Sequence, residues 1–154
     1  MFELIRSLQI DATAGAAVGD AVMPADHPLF ADHFPGAPLL PGSLLVELAA
    51  QVAGPLGEKV TSLRFGLERG ALLGMVRRAV FPRPCFLPAT VRVTAHVRHA
   101  DAAHVTVAVA GAVGDATVVR AELVMAMIDV PPEWASVMAG RHERLARWTA
   151  SSAT

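Results

Sequence analysis

The strongest constraint on the fold is a change of periodicity along the chain. In the second half, apolar residues alternate with other residues over short runs, most clearly at Val91, Val93 and Val97 and again at Val105 and Val107. This alternation is typical of half-buried antiparallel strands. It predicts strands over residues 60–67, 71–81, 90–99, 104–112 and 116–128, with a shorter strand over 15–24 and hairpin connections at 100–103 and 114–115.

Two segments have helical rather than strand character. Residues 43–53 predict a helix with Ser43 as N-cap, and Gly54-Pro55 is expected to end it because proline cannot extend a helix. A C-terminal amphipathic helix is expected over about 131–149. We therefore predict an α+β domain over 1–154, with its core over about 15–130. It would hold one apolar helix beside an antiparallel sheet of five or six strands.

Composition narrows the classes of function. The chain has 154 residues, 53% of them apolar and 18% charged, which favours an oligomer because one small domain cannot easily bury so much apolar surface. A net charge of −1 and scattered basic residues argue against nucleic-acid binding.

No stretch is apolar enough for a membrane span, and Glu3 and Arg6 make a poor signal peptide, so a cytoplasmic location is expected. Cys85 is the single cysteine, which excludes an intramolecular disulfide.

The first helix has one row of polar side chains. Ser43, Glu47 and Gln51 are spaced four residues apart, and the other positions are apolar. A helix that is apolar nearly all round is expected to be buried. A buried Glu is seldom found without a hydrogen-bonding or charged partner or a functional role. Glu47 either faces a solvent crevice or is shielded from water, so that its protonated form can donate a proton.

Two further features lie just before this row. His33 belongs to a loop that five prolines between 24 and 41 keep free of regular structure. The helix starts at Pro41-Gly42-Ser43, where free backbone amides suit a carbonyl oxygen that gains negative charge. His27 is expected to cap the loop. The other four histidines are expected to be ordinary surface residues and no spacing requires a metal: His96, His99, His104 and His142.

Together these residues resemble the signature of the 3-hydroxyacyl-(acyl-carrier-protein) dehydratases of type II fatty acid synthesis. The matching string is His33-Phe34-Pro35-Gly36-x-Pro38-x-x-Pro41-Gly42-x-Leu44-x-x-Glu47-x-x-x-Gln51. The resemblance extends over about residues 20 to 128, more weakly through Arg83-Pro84 and Pro88. Asp32, Ser43 and Ala89 depart from the usual family residues, and the C-terminal helix is an addition.

The resemblance implies a hotdog fold, in which a curved antiparallel sheet wraps a central helix. It implies that His33 removes the C2 proton of a 3-hydroxyacyl thioester and that Glu47 protonates the departing 3-hydroxyl group. The Gly42 amide would hold the thioester carbonyl, and Gln51 would orient Glu47. Substrate-binding positions would be Gly42, Ser43 and Gln51, with the loop residues Phe34, Pro35 and Gly36.

The resemblance also implies partners. The substrate would be carried by acyl carrier protein or coenzyme A, and a carrier protein would dock on basic residues, with Arg77, Arg78 and Arg83 as candidates. A homodimer would share its active sites between subunits, alone or as a trimer of dimers, with no cofactor and no metal. The pathway would be fatty acid synthesis or a specialised polyketide-like or aryl-polyene one.

Three alternatives stay open. A hotdog thioesterase would activate water with a carboxylate instead of eliminating it. A catalytically silent subunit would bind acyl chains or complete a heterodimer, although such subunits typically lack the His or the acid, and this chain has both. A dehydratase–isomerase would be the third, but resemblance to that subgroup would predict Asp in place of Glu47.

Overall fold

A computed structural model describes residues 4–150 of the chain. The elements are, in order, β1 Ile5–Asp11, β2 Ala16–Met23, a 3-10 turn Pro28–Phe30, α1 Gly42–Phe65, β3 Gly70–Val80, β4 Ala89–Ala100, β5 His104–Val113, β6 Ala116–Ile128, a 3-10 turn Pro132–Trp134, and α2 Ala135–Ala150.

The described strands form one six-stranded antiparallel sheet in the order β1-β2-β4-β5-β6-β3. Helix α1 contacts all six strands, so the sheet wraps around it. The core lies between them, with Leu48, Val52 and Leu56 of α1 fully buried against Val93 and Leu123 of the sheet. The predicted α+β architecture of a helix beside an antiparallel sheet is confirmed. Strands β1 and β3 are the edges, and β3 is bonded only to β6 within the described chain.

The predicted end of the first helix was wrong. Helix α1 continues through Pro55 to Phe65, so the strand expected over 60–67 does not exist. Proline removes one backbone donor and crowds the preceding turn. Here the fully buried face of the helix, which continues past Pro55 through Leu56 and Val60, outweighs that local cost. The helix ends at Gly66, which adopts a left-handed conformation at φ 66° and donates its amide to the Ser62 carbonyl.

Two further expectations were wrong near the start of the chain. Strand β1 was not predicted and lies before the expected core boundary, yet its Ile5 and Leu8 are fully buried in the core. Ser43 is not the N-cap of α1. Pro41 occupies that position, two residues before Ser43, and it has no polar side chain with which to bond the free amides.

The C-terminal helix is present, with its first turn replaced by the 3-10 turn Pro132–Trp134. Trp148 is buried, and Arg141 forms an ion pair with Glu58 of α1. The same Glu58 oxygen accepts the backbone amide of Ala71 at 2.7 Å. One carboxylate therefore joins α2, α1 and β3. No helix between residues 4 and 150 is both long and apolar enough to cross a membrane.

Candidate active site

The loop that carries His33 is held by backbone hydrogen bonds. The His33 amide donates to the Phe30 carbonyl at 3.0 Å, and the His33 carbonyl accepts the Leu39 amide at 2.6 Å. Leu40 donates to the Cys85 carbonyl at 2.9 Å, which ties the loop to the segment after β3. The His33 side chain is exposed, so a held backbone presents a free imidazole to the surface. His27 caps the 3-10 turn as predicted, since its Nδ1 accepts the Leu29 amide at 3.2 Å.

The predicted substrate-binding loop residues follow His33 directly. Phe34 and Ala37 exchange backbone hydrogen bonds of 3.3 and 3.0 Å, which closes a turn. Gly36 lies in that turn at φ 79°, a conformation that favours glycine. The Phe34 ring is 58% exposed and lies 5.3 Å from the His33 ring, centroid to centroid. Pro35 and Gly36 are also exposed, so this turn presents apolar surface beside the imidazole.

The start of α1 offers backbone donors. The amides of Gly42 and Ser43 have no carbonyl one turn earlier to bond, as at the start of any α-helix. A Cβ added at Gly42 would lie 3.1 to 3.3 Å from the ring of Phe81. Glycine at this position therefore allows a ring to approach the backbone closely. Phe81 was missed in the sequence, where it is only an apolar residue at the end of a strand pattern.

Glu47 and Gln51 are in contact one turn apart. Gln51 Nε2 donates to Glu47 Oε1 at 2.9 Å. Within the polar row, the side chains of Ser43 and Glu47 are exposed in the single chain, whereas Gln51 is half-buried and its Oε1 is inaccessible to solvent. In the single chain Glu47 therefore has the solvent-facing one of the two environments expected for it, while the same side of α1 contacts β3 further along, through Glu58 and the Ala71 amide.

An apolar cavity of about 360 Å³ begins at this pair. It lies between α1, β3 and α2, and its lining includes both Glu47 and Gln51. Glu58 also lines it, eleven residues after Glu47 and so about 16 Å further along the helix at 1.5 Å per residue. Most of the wall is apolar: Leu72, Leu73, Met125, Ile128, Val130, Trp134, Val137, Met138, Leu145 and Trp148. His33 does not line this cavity. A single chain thus brings together Glu47, Gln51 and the cavity, but not the imidazole.

The remaining candidates lie apart from the cavity. Arg77 is paired with Glu122 at 3.2 Å, while Arg78 and Arg83 are exposed. His99 and His104 flank Asp101, whose pKa is lowered mainly by the amides of Ala103 and His104 that donate to it. Burial raises the pKa of the lone Cys85 thiol. No group of three or more His, Cys, Asp or Glu side chains that could hold a metal occurs in residues 4–150.

Comparison with known proteins finds a dehydratase family that matches the part of the chain that holds His33 and Glu47, and dehydratases among the curated relatives. Residues 9–84 match the family described as ApeI-like, ApeI dehydratase. The 3-hydroxyacyl-(acyl-carrier-protein) dehydratase FabZ of Rhizobium rhizogenes is 43% identical over 51 residues, which are 33% of this chain and 32% of that protein. FabZ of Hydrogenobaculum sp. is 39% identical over 69 residues, 45% of this chain and 46% of that one. The chain thus spans from about a third to less than half of the length of these curated relatives.

Solved structures share the fold at low identity. The dehydratase heterocomplex ApeI:P from Xenorhabdus doucetiae has a TM-score of 0.57 at 14% identity, covering 82% of this chain and 99% of that one. The smu.793 protein of Streptococcus mutans, bound to acetyl CoA, has a TM-score of 0.63 at 12% identity over 83% and 91%. The E. coli PaaI protein has a TM-score of 0.57 at 19% identity, covering 75% of this chain and 74% of that one. The predicted hotdog fold is confirmed, and residues 9–84 match the hotdog dehydratase family that the motif around His33 and Glu47 predicted.

Proposed function

We propose that this protein removes water from a 3-hydroxyacyl thioester to give a 2-enoyl thioester. The observation that carries the proposal is the hydrogen-bonded Glu47–Gln51 pair at one end of an apolar cavity. Elimination needs an acid at C3, a base at C2 and a donor to the carbonyl at C1. Glu47 protonates the departing hydroxyl group, His33 takes the C2 proton, and the Gly42 amide stabilises the enolate oxygen. The acyl chain lies in the cavity.

The missing imidazole is supplied by a second copy of the chain. Strand β3 is a long edge strand that pairs with only one other strand of the described chain, a feature that favours pairing with another strand, although its Ala71 amide already bonds Glu58. Its side chains form an exposed apolar surface, with Leu72 at 45% and Met75 at 57% exposed. A stable interface buries about 800 Å² on each partner, and a strand of eleven residues with apolar neighbours is suited to that. We therefore assign β3 to a homodimer interface.

Twofold pairing of β3 also accounts for a shared site. In one chain, the His33 loop bonds Cys85 and Gly42 lies against Phe81, and both Cys85 and Phe81 follow the end of β3. Leu72, near the start of β3, lines the cavity. Antiparallel pairing about the middle of the strand sets the end of one β3 beside the start of the other. His33 of one subunit then lies on the side where the partner's cavity opens. Burial at this interface would also shield Glu47 from water.

Gln51 acts as a positioning residue for Glu47. The variant Gln51→Leu removes the 2.9 Å hydrogen bond and is expected to lower kcat by up to about tenfold with KM unchanged, since a hydrogen bond between neutral groups contributes roughly 0.5–1.5 kcal/mol. Steady-state kinetics of the single variants and of a double variant with Glu47→Gln test this. In the Glu47→Gln background, the loss of Gln51 should add little. Equal losses in both backgrounds, or a change in KM alone, would contradict a positioning role.

The reaction itself is tested by following enoyl absorbance with 3-hydroxybutanoyl and longer 3-hydroxyacyl thioesters. The thioesters are made on both pantetheine and acyl carrier protein, and free thiol is measured in the same samples. We expect enoyl formation without thiol release. Thiol release instead would make the protein a thioesterase. No reaction on any carrier, with acyl chains still bound, would make it a silent subunit, as in a heterodimer.

The carrier and the pathway are finer parts of the same proposal. We propose acyl carrier protein as the carrier, because Arg83, which lies beyond the end of β3, leaves a cationic side chain exposed for an acidic partner. Coenzyme A is the other source of the thioester. Either fatty acid synthesis or a polyketide-like or aryl-polyene pathway fits such a substrate, and a cytoplasmic location stays a prediction.

A further inference from the structure

Helix α2 separates two cavities. The first is the apolar cavity that begins at Glu47 and Gln51. The second, of about 630 Å³, lies on the other side of α2 and is lined by β1, by Lys59 of α1 and by the last turns of α2. The apolar part of its lining comes from Leu8, Ile10, Ala12, Leu145 and Ala146.

Only two residues line both cavities, among those that the structure describes. They are His142 and Leu145, three residues apart and so on the same face of α2. Leu145 is half-buried and packs against the core, whereas His142 is exposed. The wall between the cavities is therefore formed where the Leu145 side chain contacts the body of the protein.

The position of this wall is set by contacts on either side of it. Arg141 precedes it and is paired with Glu58 of α1, and Trp148 follows it and is buried. Because both contacts lie within one turn of Leu145, α2 is held against α1 and cannot easily slide. An acyl chain that enters the first cavity from the Glu47 end would therefore meet a fixed obstacle rather than a mobile one.

We propose that Leu145, with His142 beside it, is the residue that limits the length of the acyl chain. This inference rests on the proposed function for the identity of the ligand, and it adds where the chain stops. A chain that fills the first cavity ends against Leu145. The first cavity is at the small end of the usual range of about 300–1,000 Å³ for ligand sites, so the limit falls at chains of short to medium length.

Removing the Leu145 side chain joins the two cavities. In Leu145→Ala, methylenes beyond the wild-type limit enter the second cavity, and each one buried strengthens binding about fourfold. Leu145→Phe enlarges the obstacle and moves the limit to shorter chains. Leu63→Ala is the matched control, because Leu63 is a 59% exposed leucine of α1 that lines neither cavity.

The test measures equilibrium binding of saturated S-acyl pantetheine thioesters, from butanoyl to hexadecanoyl, to the full chain by calorimetry. These ligands lack the 3-hydroxyl group and cannot be dehydrated. We expect the chain length of tightest binding to increase in Leu145→Ala, decrease in Leu145→Phe and stay at the wild-type value in Leu63→Ala. Thermal unfolding checks that each variant is folded. If Leu145→Ala does not fold, Leu145→Phe against Leu63→Ala still decides the question.

Turnover of the 3-hydroxyacyl series separates the two proposals. The same chain-length limit in all four proteins would overturn the role of Leu145, whether or not water is eliminated. A limit that moves with Leu145 in a protein that forms no enoyl product would support the role and overturn the dehydratase.

Discussion

His33→Ala and Glu47→Gln are each expected to lower kcat/KM for dehydration by 100- to 10,000-fold, the usual range for loss of a general base or acid. His33 offers an exposed imidazole on a loop held by backbone bonds, so Ala removes the base and leaves those bonds in place. Gln in place of Glu47 keeps the size of the side chain and a carbonyl oxygen for Gln51, but it cannot donate the proton of a carboxylic acid. Enoyl absorbance from a 3-hydroxyacyl thioester measures both losses.

Matched controls come from the same chain. His96→Ala removes an exposed imidazole from β4, and Glu143→Gln removes an exposed carboxylate from α2 that lines neither cavity. Both should retain wild-type turnover. Circular dichroism should give the same helix and strand content for all four variants. A His33→Ala or Glu47→Gln protein that keeps more than half of the wild-type rate would exclude that residue from the proton transfer.

Much of the fold could be predicted because its sheet has a strong local pattern. Strand β6 has the predicted bounds, β5 is one residue longer than predicted at its end, and β4 is one residue longer at both ends. One face of these strands packs on α1, so the alternation that marks them in the sequence reflects the burial that stabilises them. The contact of Gln51 with Glu47 also followed from local geometry, since residues four apart on a helix are neighbours.

The predictions that were wrong or missing concern features that tertiary packing determines rather than a local sequence pattern. Pro55 is a local signal for a helix end, but the buried residues on both sides of it belong to a helix that spans the whole sheet. Strand β1 has little alternation of its own and is stabilised by pairing with β2 and by the burial of Ile5 and Leu8. The contact between Phe81 and Gly42 joins residues 39 positions apart. Such features depend on contacts between distant parts of the chain, which a local sequence pattern does not predict.

A mixed dimer of His33→Ala and Glu47→Gln subunits is expected to recover about half of the wild-type activity, although each parent homodimer is nearly inactive. In a twofold dimer with shared sites, one site of the mixed dimer combines the intact His33 of one subunit with the intact Glu47 of the other. The second site lacks both groups. The two variants are co-expressed with different affinity tags, and dimers that carry both tags are isolated by two successive affinity steps before turnover is measured.

The result decides how the two catalytic groups meet. In this chain Glu47 lines the cavity between α1, β3 and α2, and His33 does not. If His33 reached Glu47 within its own subunit, each site of the mixed dimer would lack one group and the dimer would be as inactive as its parents. If no dimer with both tags could be isolated, pairing through β3 would be wrong. Recovery of activity requires that the imidazole and the carboxyl group come from different subunits, because neither variant chain contains both.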